Sequence, residues 1–404
     1  MRIELVSVWY FLKYTMDIKA RIRRRRDDDA QPQFIQRYEA LSPAAHLDEP
    51  VGRGQLLEQL LDYFDPVFDG GLPPNGYLHG PVGSGKSAVI TALLSHLRQL
   101  PAETREIIHT STRVQTPSSP TFVYVDARSA TSAFEFYRSV LNSLIDQSVP
   151  KHGVGTDSLR DQVHTQVQGT PGATICIDHV AESRSLDELT LIDLLASLPS
   201  NVSWLAVGRE SPDQSQLTAY TGAEIGVSRY RRQVLVDILM KRASVGLARQ
   251  GLNHDLARQV ASWADGNAHN GLAVLFSAVD SAAAAGKDRL SKSDIDSAIE
   301  SVPEPCVSLS AVLSLPANRQ QVLRHLVNLS PDERESVDMA TTALSTLDLS
   351  KSTIKRFLYE MAEAGVIKRV QTKGERQKGR PPSRVVPQFP SYVFQRLYDL
   401  RRRE

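Results

Sequence analysis

The sequence predicts an α/β domain with a parallel sheet, followed by a small all-helical domain and a C-terminal winged-helix domain. Three observations predict it. Short, almost wholly apolar runs, among them "GATICIDHV" and "VSWLAVG", alternate with helical patterns between about residues 41 and 225. Such runs suit strands buried on both faces of a parallel sheet. Strand signals then stop, and apolar residues recur only at helical spacing over 226–303. From residue 304 to the end, three helical segments precede a basic, Gly/Pro-rich hairpin, the plan of a winged helix.

The α/β region begins with "PPNGYLHGPVGSGKSAVITALLSHLRQL", which runs from a turn into a short strand, a glycine loop and a helix. "SSPTFVYVDARS" is a β-rich run bounded by turn residues, and "TSAFEFYRSVLNSLIDQ" has helical spacing. In the helical region Val234, Leu235, Ile238 and Leu239 share one face. Leu256, Val260 and Trp263 repeat that spacing, as do Leu272, Leu275, Phe276 and Val279. Ile295, Ala298, Ile299 and Val302 make a fourth helix opened by a Ser/Asp cap, and "VPEPC" breaks the pattern as a linker. In the last region helices are expected at about 317–329, 337–347 and 351–365.

A chain of 404 residues exceeds one ordinary core and fits two or three domains. The net charge of +1 excludes a grossly basic protein but hides an asymmetry, because 14 lysines and arginines stand against five acids from Lys351 onward. A basic end on a mildly acidic chain suggests a polyanion partner for that end. The two cysteines, Cys176 and Cys306, have no metal or disulfide spacing and fit a reducing cytoplasm, with Cys176 read as core. Residues 1–40 read as a leader. "MRIELVSVWYFLKY" is too short for a membrane span and lacks a cleavage pattern, so no membrane partner is expected. Met16 is a candidate true start, and "RIRRRRDDD" is a mixed-charge run expected to be disordered.

Gly80-Pro81-Val82-Gly83-Ser84-Gly85-Lys86-Ser87 matches G-x-x-x-x-G-K-[ST] in full, with Ala88 continuing into the helix. Glycines let the backbone fold around phosphates and present its N–H groups, and the helix start adds its dipole. Lys86 is expected to neutralise the β/γ-phosphates of ATP or ADP, and the Ser87 hydroxyl to ligate Mg2+. Asp178 ends an apolar strand well downstream, the place for a second magnesium partner.

In "SKSTIKRFLYEMAEAGV", Ile354, Leu358 and Met361 form the buried stripe, leaving Lys351, Lys355, Arg356 and Tyr359 on other faces to meet DNA. The hairpin adds Lys373, Arg376, Lys378, Arg380 and Arg384, and "GRPPSR" has a proline-stiffened shape suited to a minor groove. A winged helix used for protein contacts carries the same pattern.

On these residues the chain resembles the archaeal replication initiators related to the first subunit of the origin recognition complex and to cell-division-control protein six, within the AAA+ superfamily. The resemblance runs from about Arg37 to the end. "EPVGRGQLLEQLLDYFDPVFDGGLPPNGYLHGPVGSGKSAV" looks like the family's opening, "TFVYVDARSATSAFEFYRSVLNSL" its second strand and helix, and "IGVSRYRRQVLVDILMKR" the start of its lid. The resemblance implies that Tyr230 and Arg242 contact the nucleotide, and that 41–225, 226–303 and 304–404 are base, lid and winged helix. The departures lie in the hydrolytic apparatus. His179 stands where the family has a catalytic glutamate, Arg209 where a polar sensor is usual, and His269 where the lid has its arginine; "QSQLTAYTGAEI" offers no clear arginine finger. A glutamate is ionised at neutral pH and orients water, whereas a neutral histidine carries no charge, although His179 retains capacity as a base. The reading is an ATP- or ADP-binding, duplex-DNA-binding initiator with weak hydrolysis, possible partners being other replication proteins. A transcriptional or signalling regulator and an active ATPase remodeller are built from the same parts.

Overall fold

The computed structural model describes residues 34–107, 120–145, 148–182, 185–371 and 383–402. Five parallel strands form the central sheet: β1 (Gly76–His79), β2 (Thr121–Asp126), β3 (Ala173–Asp178), β4 (Val202–Gly208) and β5 (Ala223–Gly226). They lie in the order β2-β3-β4-β1-β5. The register sets Asp126 beside Asp178 and Asp178 beside Val207, so the carboxyl ends of three strands form one edge. Every residue of β3 is buried. Period-two alternation splits the sheet between two cores. Tyr77, Ile175, Ile177, Trp204 and Ala206 face one, with Phe136 and Leu191. Leu78, Cys176, Leu205 and Val207 face the other, with Phe64 and Ile90. Crossover helices cover both faces.

In chain order the helices are α1 (Tyr38–Leu41), α2 (Gly54–Phe68), α3 (Lys86–Ile107), α4 (Ala133–Leu144), α5 (Thr156–Val167) and α6 (Glu188–Ala196). A helical unit follows: α7 (Arg232–Gly246), α8 (His254–Trp263), α9 (Ala268–Ala284) and α10 (Lys292–Ser301). Asn253 and Asn267 cap α8 and α9 with their side chains, and Ser291 with Asp294 forms a capping box on α10. The C-terminal unit holds α11 (Leu309–Leu313), α12 (Ala317–Leu326), α13 (Val337–Ala343) and α14 (Lys351–Glu363). The antiparallel pair β6 (Ile367–Gln371) and β7 (Ser383–Pro387) comes next, then α15 (Ser391–Arg401). One continuous apolar cluster runs from α7–α10 into α11–α15, so the helical and C-terminal units are packed on each other.

The leader expectation fails for residues 34–40. Phe34 and Ile35 are buried, and this segment bonds the end of α7, with the Gln36 N–H donating to Gly246 O at 2.8 Å and the Ala248 N–H to Phe34 O at 2.9 Å. Phe34 and Ile35 are apolar and bury in the same cluster as α7–α10, which orders the segment. Residues 1–33 lie outside the described residues. Cys176 is buried core. Among the described residues no helix is long and apolar enough to cross a membrane.

Candidate functional site

The phosphate loop links β1 to α3. Gly83 and Gly85 have φ of 72° and 86°, a left-handed backbone that glycine adopts without steric cost. A side chain on Gly85 would run into the Tyr230 hydroxyl, and one on Gly83 into the Asn267 side chain. The loop is thus clamped against the helical unit, and the Ala268 N–H donates to Gly83 O at 3.0 Å. Arg53 adds a second bracket. Its guanidinium donates to Ser84 O at 2.8 Å and Ser228 O at 2.7 Å and lies 3.7 Å from the centre of the Tyr230 ring. An arginine held over an aromatic face by hydrogen bonds from two of its nitrogens is a fixed spacer.

Behind the loop is a cleft between sheet and helical unit. It is lined by Val82 to Ala88, Asp178, His179, Arg209, Tyr230 and Arg242, so twelve of the residues expected at the site meet there. Gly80 and Pro81 stand behind it and accept from the Lys86 ammonium at 2.5 and 3.0 Å. Burial pushes the Lys86 amine down to about 8, with nearby Asp178 opposing that shift. Arg242 is buried and donates to Ala40 O at 3.0 Å and Ala45 O at 2.7 Å; burial lowers its guanidinium to about 10. Neither Lys86 nor Arg242 has an ion-pair partner among the described residues. Asp178 is 1% exposed and accepts from the Tyr124 hydroxyl at 3.0 Å and the His179 N–H at 2.8 Å. Its carboxylate and the Ser87 hydroxyl are hard oxygen donors of the kind that Mg2+ takes, so the residues fit that ion.

His179 has a left-handed φ of 65° and turns back over the strand end, its Nδ1 lying 3.2 Å from Glu182 Oε1 and its Nε2 3.5 Å from Asp178 Oδ2. Arg209 reaches the same Glu182 oxygen at 2.9 Å from Nε and 2.8 Å from Nη2. Burial raises the Glu182 carboxyl, but the hydrogen bond and charge of His179 and the charges of Arg209 and Arg128 outweigh it and hold it down at about 2. Glu182 was not singled out from the sequence, although it stands four residues after Asp178. Arg53 and Arg128 were missed as well. His269, at the start of α9, is buried, and its Nε2 accepts from the Leu309 N–H at 3.2 Å. Burial pushes the ring down to about 4, against a hydrogen bond with the Pro43 backbone.

The expected DNA residues do not share this cleft. Lys351 and Arg356 are exposed on α14, and Arg384 is exposed on β7. Lys373, Arg376, Lys378 and Arg380 lie outside the described residues. Three details differ from the sequence expectation of free side chains, the first being that Arg356 Nε lies 3.6 Å from Glu360 Oε1. Lys355 donates to Asp338 at 2.7 Å, and Tyr359 is half-buried beneath Arg369, whose guanidinium lies 4.6 Å from the ring centre.

A model of the AAA ATPase domain matches residues 49–207. ORC1-type DNA replication protein 5 of Halobacterium salinarum is 36% identical over 76 residues, a match that spans 18% of this chain and 18% of that protein. The Aeropyrum pernix Orc1 protein, solved in complex with DNA, is 19% identical with a TM-score of 0.57, over 91% of this chain and 97% of its own. The Aeropyrum pernix ORC2 protein, solved as ADPNP–ADP complexes, is 15% identical with a TM-score of 0.54, over 91% and 98%. The AAA ATPase model covers the loop and the strand that ends in Asp178, and the solved structures show that the chain has the fold of the Aeropyrum pernix Orc1 and ORC2 proteins.

Proposed function

We propose that this chain is a nucleotide-holding, duplex-DNA-binding protein of the replication-initiator type that works in the cytoplasm. ATP or ADP enters the cleft with its phosphates on Gly80–Ala88. Lys86 supplies the cation, Tyr230 and Arg242 contact the nucleotide, and Ser87 with Asp178 holds Mg2+, which when bound neutralises phosphate charge. The carrying observation is the pair of buried cations, Lys86 and Arg242, that line the cleft with no carboxylate of their own. A buried charge left unpaired is costly, and an anionic ligand removes that cost.

In this reading the helical unit is a lid, since Tyr230 and Ala268 meet the loop from it and Arg242 lines the same cleft, and the C-terminal unit is a winged helix with α14 as its recognition helix. That last step borrows from the Aeropyrum pernix Orc1 protein, which was solved with DNA. It is supported here by the exposed Lys351, Arg356 and Arg384. Hydrolysis is slow. His179 replaces the water-orienting acid, and the nearest carboxylate, Glu182, is already engaged by His179 and Arg209. His269 cannot reach phosphate as an arginine does, because its ring is buried against Leu309. The test is calorimetric titration of ATP and ADP with and without Mg2+. Lys86→Ala abolishes binding of both, and Asp178→Ala weakens Mg2+-dependent ATP binding more than ADP binding. Wild-type affinity in Lys86→Ala refutes the site.

A further inference from the structure

We infer that residues 308–310 of the C-terminal unit, bracketed by Arg128, form a wall of the nucleotide cleft at its terminal-phosphate end, so that nucleotide leaves only when the C-terminal unit undocks. Ser308 and Ser310 line the same cleft as Lys86, Ser87 and Asp178, although they lie beyond the linker that ends the helical unit. Two independent contacts hold them there. Arg128, just past β2, grips Asp126 with Nε at 2.9 Å and Nη2 at 2.7 Å, and its remaining Nη1 donates to Ser310 Oγ at 3.0 Å. The Leu309 N–H donates to His269 Nε2 from the other side.

The placement follows from the sheet. Asp126 is the register partner of Asp178, so the arginine that holds Ser310 stands over the strand ends where His179 and Glu182 also sit. The apolar part of the cleft, with Val51, Ile238 and Leu272, is contributed by other elements and suits the base. The Arg128 side chain is 9% exposed, and its fork geometry leaves no slack between β2 and the C-terminal unit. Burial of His269 keeps its ring neutral, the form in which Nε2 can accept from Leu309. The ligand this wall fits is a nucleoside di- or triphosphate, and the wall belongs to the same polypeptide rather than to a neighbouring subunit. By linkage, any ligand that favours the undocked C-terminal unit weakens nucleotide binding by the same factor that nucleotide weakens its own.

This inference rests on the nucleotide reading above, and its test separates the two. The full chain is loaded with a fluorescent ADP analogue and chased with excess unlabelled ADP. Release speeds up about tenfold in Ser310→Ala, which leaves the Arg128–Asp126 pair intact, and at least as much in Arg128→Ala. Amide exchange across Leu309–Leu313 slows when the analogue is bound. Release within twofold of wild type in Ser310→Ala, or exchange in that segment indifferent to the analogue, overturns the wall while leaving the nucleotide site standing. A wild-type chain that takes up no analogue overturns both.

Discussion

Acidification should loosen the C-terminal unit, and the responsible group is His269. Its ring is buried at the meeting point of the Pro43 segment, α9 and Leu309, and its folded value is pushed down to about 4 from an ordinary 6.5. Above pH 6.5 the ring is neutral whether docked or undocked, and the contribution to docking is complete. As the pH falls toward about 4 the undocked chain takes the proton first, and the contribution is progressively lost. Between pH 7 and pH 5 those two values shift the docking equilibrium about 20-fold, or roughly 2 kcal/mol. The physical event is the loss of an acceptor, since a protonated Nε2 cannot receive the Leu309 N–H.

The assay is the exchange protection of the Leu309 amide itself, at pH 7 and pH 5, in wild type and in His269→Gln. A glutamine offers one acceptor and one donor that do not titrate. His46, in the Pro43 segment, and His79, at the end of β1, are also pushed down by burial, so wild type alone does not isolate the ring. After correction for intrinsic exchange, wild type loses about 20-fold of protection and His269→Gln loses almost none. An equal loss in both proteins, or none in wild type, refutes the assignment to His269.

Two further outcomes follow from the cleft and from α14. Single-turnover hydrolysis of bound ATP is far slower than about one per second, and His179→Glu restores little, because the new acid would stand between Asp178 and Glu182 while His269 stays pinned to Leu309. A wild-type rate on the order of one per second makes the nucleotide fuel and ends this reading. On duplex DNA, Arg384→Ala weakens binding at all sequences and reduces the salt slope by about 1, whereas Lys355→Ala and Arg356→Ala each do less because Asp338 and Glu360 already engage those side chains. Anisotropy titrations between about 50 and 200 mM salt read this directly; a slope unchanged in all three moves the contact elsewhere.

The phosphate loop was legible because its glycines are required by backbone geometry that any sequence must satisfy, and β1–β4 were legible because strands buried on both faces are almost wholly apolar. The fifth strand left no such mark. Ala223–Gly226 is a four-residue edge strand in which only Ile225 is buried. Helices α11 and α15 were also missed, the first because five residues carry no periodicity. Glu182 was in plain view, yet its role depends on left-handed turns at His179 and Ala181 that fold the chain back on itself. Arg128 and Ser310 meet across 182 positions, and no local pattern announces such a pair. His269 could be seen as the loss of an arginine but not as the gain of a strut, because its partner is a backbone amide, which carries no residue signature.

A single carboxylate joins the two ends of the described chain. Asp280, on α9 and 5% exposed, accepts from the Tyr38 hydroxyl at 2.7 Å, the Tyr392 hydroxyl at 2.6 Å and Arg396 Nε at 3.0 Å. Arg396 also donates to the Tyr38 oxygen at 3.1 Å, a contact that spans 358 positions. During synthesis Tyr38 leaves the ribosome long before Arg396 exists, so the segment around α1 meets Asp280 with only part of its final partners. It can settle fully only when α15 arrives. A chain that stalls before α15 therefore leaves Asp280 without two of its three donors, a buried carboxylate short of partners, and the defect is felt at the opposite end of the polypeptide.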